Sequence, residues 1–351
     1  MPPLPHDRVS WDARLLLRVR LRLLLPCLSL ACLCDRPLDS SSAALLAVCV
    51  LLPFLLLCLL TAACLLPTGL LAQTRCNGRT EYCTRRYADV RLVGAHNSPF
   101  VGYLPQHNQE ISVTKQLDLG IRFLQGQTRV HEEKKTLNMC HTSCFLEDAG
   151  PVEDFLSTIK TWLDGHPEEV VTLLLTNGDY VDVNRFDEAF TKSGIKKYVF
   201  VPPSAPDALP MDSWPMLGNL ISSGKRLIVF LDYKADMPKF PYILDQFAYF
   251  FETPFSTTDP KFPQCKIDRP PNAKADGRLY LVNHTLNVDI FGVIVPDRIR
   301  APKTNAATGE GSIGAHVDLC NSIYDRKPNV VLLDFINQGE VFKAQNQMNG
   351  F

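Results

Sequence analysis

A single (β/α)8 TIM-type barrel, α/β in class, is the fold predicted for residues 76–351, preceded by an N-terminal hydrophobic signal or anchor segment. Three observations carry this prediction. After Cys83, short apolar runs alternate with amphipathic stretches, the pattern of a barrel or a doubly wound sheet rather than of separate domains. The runs number eight. Polar and ionisable residues gather at their carboxyl ends, the rim on which a barrel places its chemistry.

The predicted strands are 90–94, 121–127, 136–140, 170–176, 227–231, 247–252, 279–283 and 330–335. The helices between them are punctuated. Pro151-Val152-Glu153-Asp154 opens a run in which Phe155, Ile159, Trp162 and Leu163 recur at helical spacing, and Asp164-Gly165-His166-Pro167 stops it. Further helices are predicted at 184–192 and 215–222, each ending at a Ser-Gly pair whose glycine supplies the left-handed conformation a helix end needs. The Pro-rich stretch 201–210 and the segment 255–278 read as long loops, because strand-like runs continue beyond both. Gly309-Glu310-Gly311-Ser312-Ile313-Gly314 has dinucleotide-fingerprint spacing, but the residues before it read as loop, so it is assigned to a flexible turn. A net charge of −1, with no basic cluster interleaved with aromatics, argues against nucleic acid as a partner.

The start of the chain is of another kind. Residues 1–39 form a basic and apolar leader, expected to be disordered, and residues 40–74 contain no charge. An uncharged apolar run of that length spans a bilayer. Leu70-Leu71-Ala72 before Gln73 resembles a signal-peptidase site, so the run is a cleaved secretory signal or an uncleaved transmembrane anchor; either leaves the barrel secreted or anchored on the extracytoplasmic side. The cysteines of the body agree with export. Local spacing favours Cys76–Cys83 and Cys140–Cys144, leaving Cys265–Cys320 as the long closure. Asn283-His284-Thr285 is a glycosylation sequon, placing Asn283 on an expected lumenal surface.

The predicted strand ends carry His96, Gln125 and Gln127, His141, Asn177, Asp232, His284 and Asp334. Two histidines on one rim suit phosphodiester cleavage, which needs a base for the attacking hydroxyl and an acid for the leaving oxygen. Asp334 is placed to fix the tautomer of one imidazole. His166 falls in a helix-to-strand connection on the opposite face, and His107, His131 and His316 have no comparable position; all four are expected to be surface or packing residues. No metal site is expected, since Cys140-His141-Thr142-Ser143-Cys144 has no second Cys/His pair at finger-like spacing.

Val93-Gly94-Ala95-His96-Asn97-Ser98, the run from Gln116 to Gln127, and Met139-Cys140-His141 together resemble the X-region of phosphatidylinositol-specific phospholipases C. Val331-Leu332-Leu333-Asp334-Phe335-Ile336-Asn337 resembles the final barrel strand of bacterial members. Cys140-His141-Thr142-Ser143-Cys144, with Thr253-Pro254 and Asp259-Pro260, resembles the fungal group of secreted phospholipase C-like phosphodiesterases. The resemblance implies His96 as general base on the inositol 2-hydroxyl, His141 as general acid to the departing diacylglycerol oxygen, and Asp334 as the assisting carboxylate. It implies a phosphoinositide-type lipid substrate met at a membrane surface. A monomer is expected.

The departures bear on the chemistry. Bacterial members carry an Asp and, two residues on, an Arg on the second strand, and calcium-dependent members carry two acidic ligands there; this chain has Gln125 and Gln127. Asn97 matches a calcium-ligand position, but neutral amides leave at most a weak divalent site, so no cofactor is predicted. Arg129 and Lys234 are the candidates to face the phosphate instead, and Asn177, Asp232 and His284 complete the expected substrate contacts. The alternative reading is a barrel that has lost the chemistry and serves as a cell-surface binding module. A glycosidase using Asp232 and Asp334 leaves the histidine motifs unexplained.

Overall fold

Eight parallel strands curl into a barrel in the computed structural model, which describes residues 74–351. In chain order the strands are β1 (Leu92–Ala95), β2 (Phe123–Val130), β3 (Leu137–Cys140), β4 (Asp148–Pro151), β5 (Val171–Asn177), β6 (Leu227–Leu231), β7 (Ile243–Asp245), β8 (Phe250–Glu252), β9 (Leu279–Asn283), β10 (Asn287–Ile290), β11 (Val293–Pro296) and β12 (Val330–Leu333). From β1 the ladder runs one way through β2, β5, β6 and β7 and the other way through β12, β9 and β8, every pairing parallel. β7 and β8 are joined by the single helical turn Gln246–Tyr249 and do not pair with each other, so the ladder is open at that seam.

Seven of the eight predicted strands are staves, and the third is not. The run expected at 136–140 folds back antiparallel on β2 as β3, and β4 pairs antiparallel with β3 in turn. The missing stave is Ile243–Asp245. It lies in one nearly unbroken apolar run with β8, and periodicity has no means of placing the short helical turn that separates them. The predicted helices form as Val152–Gly165, Asn184–Lys192 and Leu217–Ser222. The Gly309–Gly314 turn follows a short helix rather than a strand; a Cβ on Gly314 would lie 2.1 Å from the Ala307 carbonyl oxygen.

Strand side chains alternate between two apolar layers, as the pleat requires. One parity faces the barrel axis, where Phe123, Leu174, Phe230, Leu281 and Leu332 pack together. The other faces the helices, through Val93, Leu124, Leu173, Val229, Val282 and Val331. Trp214, Phe250 and Phe251 are buried in these layers. Three disulfides join Cys76 to Cys83, Cys140 to Cys144 and Cys265 to Cys320. Among the described residues no helix is long and apolar enough to cross a membrane; the leader 1–39 and nearly all of the apolar segment 40–74 lie outside those residues.

Candidate active site

The axis-facing parity turns polar at the carboxyl ends of the staves. Stepping two residues along each strand leads from Phe123 to Gln125 and Gln127, from Leu174 to Thr176, from Phe230 to Asp232, from Leu281 to Asn283 and from Gly94 to His96. All six of these polar residues line one cavity of about 110 Å³, together with Glu252, Gln246 and Arg269. A larger hollow of about 320 Å³ between the helices Ile313–Tyr324 and Val341–Met348 gathers none of these residues. Chemistry rather than size identifies the site.

His96 is held by the neighbouring stave. Its Nδ1 lies 2.8 Å from Asp334 Oδ1, and its backbone N–H donates to Leu333 O. Asn108 donates to the same Asp334 oxygen at 2.8 Å, and Asn305 donates to the Asp334 backbone carbonyl, so the carboxylate is held through Oδ1 and its backbone, with Oδ2 buried and without a partner. An ionised carboxylate on Nδ1 keeps a proton there and leaves Nε2 to take one from a substrate.

His141 reaches the rim by the hairpin rather than as a stave. Thr128 pairs with Met139, and continuing this antiparallel register brings His141 level with Gly126. Gly126 has no side chain to oppose that approach: a Cβ there would lie 2.5 Å from Met139 and 3.1 Å from Pro99. The turn after His96 closes with the Phe100 N–H donating to Asn97 O, and the Phe100 ring stacks on His141 at 5.4 Å. The turn after His96 thus packs on His141 through Phe100; His96 lines the cavity, and His141 is not among its lining residues.

Several expected contacts are corrected by strand parity. Asn177 and His284 belong to the helix-facing set, with Leu173 and Val282. Asn177 uses its side-chain amide to hold Val181 O and Tyr233 O, shaping the loop behind the rim. His284 is buried against Phe262 at 3.9 Å and bonded to Thr304 O and to His316, with burial pushing its pKa down to about 3. Lys234 lies past the end of β6, exposed and outside the cavity lining. Arg129 pairs with Asp179 at 2.7 Å. Asn283 is no surface sequon: it is buried in the cavity wall, donating to Thr253 O at 2.8 Å, where a glycan has no room. Gln125 Oε1 accepts from the Asn97 backbone N–H at 2.7 Å, while the Asn97 side chain donates to Asn108 Oδ1 and keeps its own Oδ1 buried without a partner. Cys265, Cys320 and His316 cluster closely, but both thiols are consumed in the disulfide.

Two charged residues of the cavity were missed in the sequence. Glu252 ends β8 and is buried; Arg269, from the long connection after it, forms an ion pair with Glu252. Glu252 obeys the strand-end rule, so its signal was present. Arg269 sits in a 255–278 loop without periodicity, and no pattern marks it.

Burial raises the Asp232 pKa from 3.8 to about 6, against the lowering effect of backbone N–H groups of Asn177 and Tyr233. A carboxyl pKa raised by folding destabilises the folded state when ionised, so this cost is present above about pH 6 and fades as the pH falls towards 3.8. Asp232→Asn keeps an acceptor for both N–H groups and removes the charge. It is expected to stabilise the chain at pH 8 by on the order of 2–3 kcal/mol and to change little at pH 4. Urea denaturation at the two pH values measures this, and an equal effect at both contradicts the assignment.

A parallel barrel with a polar axial layer at its carboxyl end, and a His–carboxylate pair on the first and last staves, is the layout of a phospholipase C-like protein. The family model of the PI-PLC X domain matches residues 82–349, and the chain belongs to that family. It is 64% identical over 276 residues to PI-PLC X domain-containing protein 1 of Arthroderma benhamiae, covering 78% of this chain and 89% of that one. An uncharacterized secreted protein of the same fungus is 42% identical over 287 residues, covering 78% and 64%. Among solved structures, the phosphatidylinositol-specific phospholipase C from Listeria monocytogenes aligns with a TM-score of 0.51 at 16% identity, over 77% of this chain and 96% of that one. That last likeness is one of fold.

Proposed function

We propose that the chain is an exported phosphoric diester hydrolase that cleaves a phosphoinositide-type lipid by acid–base catalysis, with His96 as base and His141 as acid. His96 Nε2 takes the proton of a hydroxyl adjacent to the phosphodiester, that oxygen bonds to phosphorus, and the P–O bond to the lipid breaks as His141 protonates the leaving oxygen. A cyclic phosphate and a diacylglycerol result. The observation that carries this reading is the His96–Asp334 pair at 2.8 Å opening into a cavity walled by hydroxyl-binding groups.

Arg269, paired with Glu252, is the cation of that wall, while Asp232, Glu252 and Asn283 offer acceptors and donors to a polyol head group. What supports a calcium-independent reaction is the donor set. Gln125 Oε1 is taken by the Asn97 backbone N–H and Glu252 is paired with Arg269, leaving the neutral Asn97 Oδ1 and a single carboxylate of the wall, Asp232, without a partner cation, fewer charged oxygens than a tight calcium site uses. Export is supported by the three disulfides and by the secreted relative. Docking on a membrane is supported by exposed Tyr103, Leu104, Tyr180, Phe255, Phe291 and Ile299, all on connections that leave the carboxyl ends of staves.

The test is release of a cyclic inositol phosphate from phosphatidylinositol vesicles by the full chain, with and without a calcium chelator. Product is expected at equal rates in both, and Arg269→Ala is expected to lower the rate by about 10²-fold. No product from phosphatidylinositol, glycosylphosphatidylinositol or other phospholipids, with folding intact, ends the catalytic reading and leaves a binding module.

A further inference from the structure

The proposed acid, His141, has a buried carboxylate of its own that no motif marks. Glu147 Oε2 lies 3.4 Å from His141 Nδ1, and Glu147 Oε1 lies 3.2 Å from His107 Nε2. The Glu147 side chain is only 8% exposed, and its Oε2 is buried with no hydrogen-bond partner, His141 being the imidazole that faces it at 3.4 Å without a formed hydrogen bond. Leaving a buried carboxylate oxygen unmatched is costly unless a charge appears beside it. A protonated His141 is such a charge.

The arrangement is set by the backbone rather than by two long side chains meeting in solution. The disulfide between Cys140 and Cys144 closes the turn that begins at His141. Across it the His141 N–H donates to Glu147 O, three residues past the bridge, and the Glu147 N–H donates to Ser143 O, each at 3.1 Å. Phe100 covers the His141 ring by stacking. Behind the carboxylate, the Leu104 N–H donates to His107 Nδ1 at 3.0 Å, which fixes that nitrogen as an acceptor and places the proton of the neutral ring on Nε2, towards Glu147.

We propose that Glu147 is the positioning carboxylate of the general acid, holding a proton on His141 Nδ1 so that Nε2 delivers the other one to the leaving group, with His107 bracing the carboxylate from the loop after β1. This rests on the phosphodiesterase reading above. In the step itself the His141 Nε2 proton passes to the ester oxygen as its bond to phosphorus breaks. His141 is left neutral with its Nδ1–H on Glu147, which stays ionised throughout. The same assignment accounts for the disulfide: it closes the one turn whose geometry sets the acid.

Proton donation matters for a poor leaving group and hardly at all for a good one, and this separates a positioning role from a merely structural one. Two substrates are used with the full chain: phosphatidylinositol, and an inositol phosphodiester with a nitrophenol leaving group. Glu147→Gln is expected to slow the first by at least about 30-fold and the second by less than about 3-fold, and His107→Leu to show a smaller loss with the same selectivity. Equal losses on both substrates, or none on either, overturn the proposal. Should the unaltered chain cleave neither substrate, the phosphodiesterase reading fails and a second readout still decides this one. In ¹⁵N-labelled full chain, at a pH high enough to leave the ring neutral, His141 is expected to keep its one proton on Nδ1 and to lose that preference in Glu147→Leu. An unchanged tautomer, in a variant whose thermal melting shows it folded, contradicts the contact.

Discussion

His96→Ala is expected to reduce cleavage by about 10³-fold or more while leaving the barrel folded. The magnitude follows from losing a positioned base, whose contribution lies around 10² to 10⁴. Stability is expected to change little, because the His96 side chain is 23% exposed and its removal opens no sealed void. Asp334→Asn separates two parts of this effect. An amide there is still able to accept from Asn108, yet it no longer stabilises an imidazolium at His96, so a loss of about 10²-fold or more is expected with His96 itself intact. Initial rates on phosphatidylinositol vesicles and thermal melting of each variant measure both parts. Wild-type turnover in His96→Ala would remove the base from the mechanism.

The site was more legible in the sequence than the strand-end rule alone allowed. That rule places a residue near the rim but does not say which face it takes, and each side chain on a strand flips face with a shift of one position. Counting by twos from the apolar residue at the centre of each strand resolves it. Phe230 leads to Asp232 and Leu281 to Asn283, which line the cavity, whereas Leu173 leads to Asn177 and Val282 to His284, which do not. The information for both corrections lay in the alternation itself. Glu252 was open to the same rule.

Other parts were not legible, for reasons that lie in the chain. Ile243–Asp245 is three residues long and merges with the apolar run of β8, so no pattern separates two staves from one. β3 has the composition of a stave, and only its pairing shows it antiparallel to β2. Arg269, Glu147 and His107 lie in connections, where position is dictated by tertiary contacts that leave no period in the sequence. The acid's carboxylate is invisible for that reason, although it lies only six residues beyond His141.

Removing the Cys265–Cys320 disulfide is expected to have the largest effect on stability. It closes 55 residues, and the loop-closure relation gives about 4 kcal/mol for restricting the unfolded chain over that length. For a domain of this size such a loss lowers the melting temperature by roughly 7 °C. Both sulfurs are fully buried, so the substitution is made with Ala at each position to avoid stranding a polar atom in the core. The closure ties the helix Ile313–Tyr324 to the connection that delivers Arg269, only four residues beyond Cys265. Other contacts hold that connection as well. Tyr324 donates to Cys265 O at 2.6 Å, His316 Nε2 lies 3.0 Å from Gln264 O, and the Asp268 N–H donates to Glu252 O at 2.8 Å. Because these bonds are formed in the folded state whether or not the sulfurs are joined, cleavage at 25 °C is expected to fall less than about 5-fold even as the melting temperature drops. Melting curves and rates of the doubly substituted chain measure the two separately. A melting temperature within about 3 °C of the parent would mean that the contacts around Cys265, not the closure, hold the arginine-bearing loop in place.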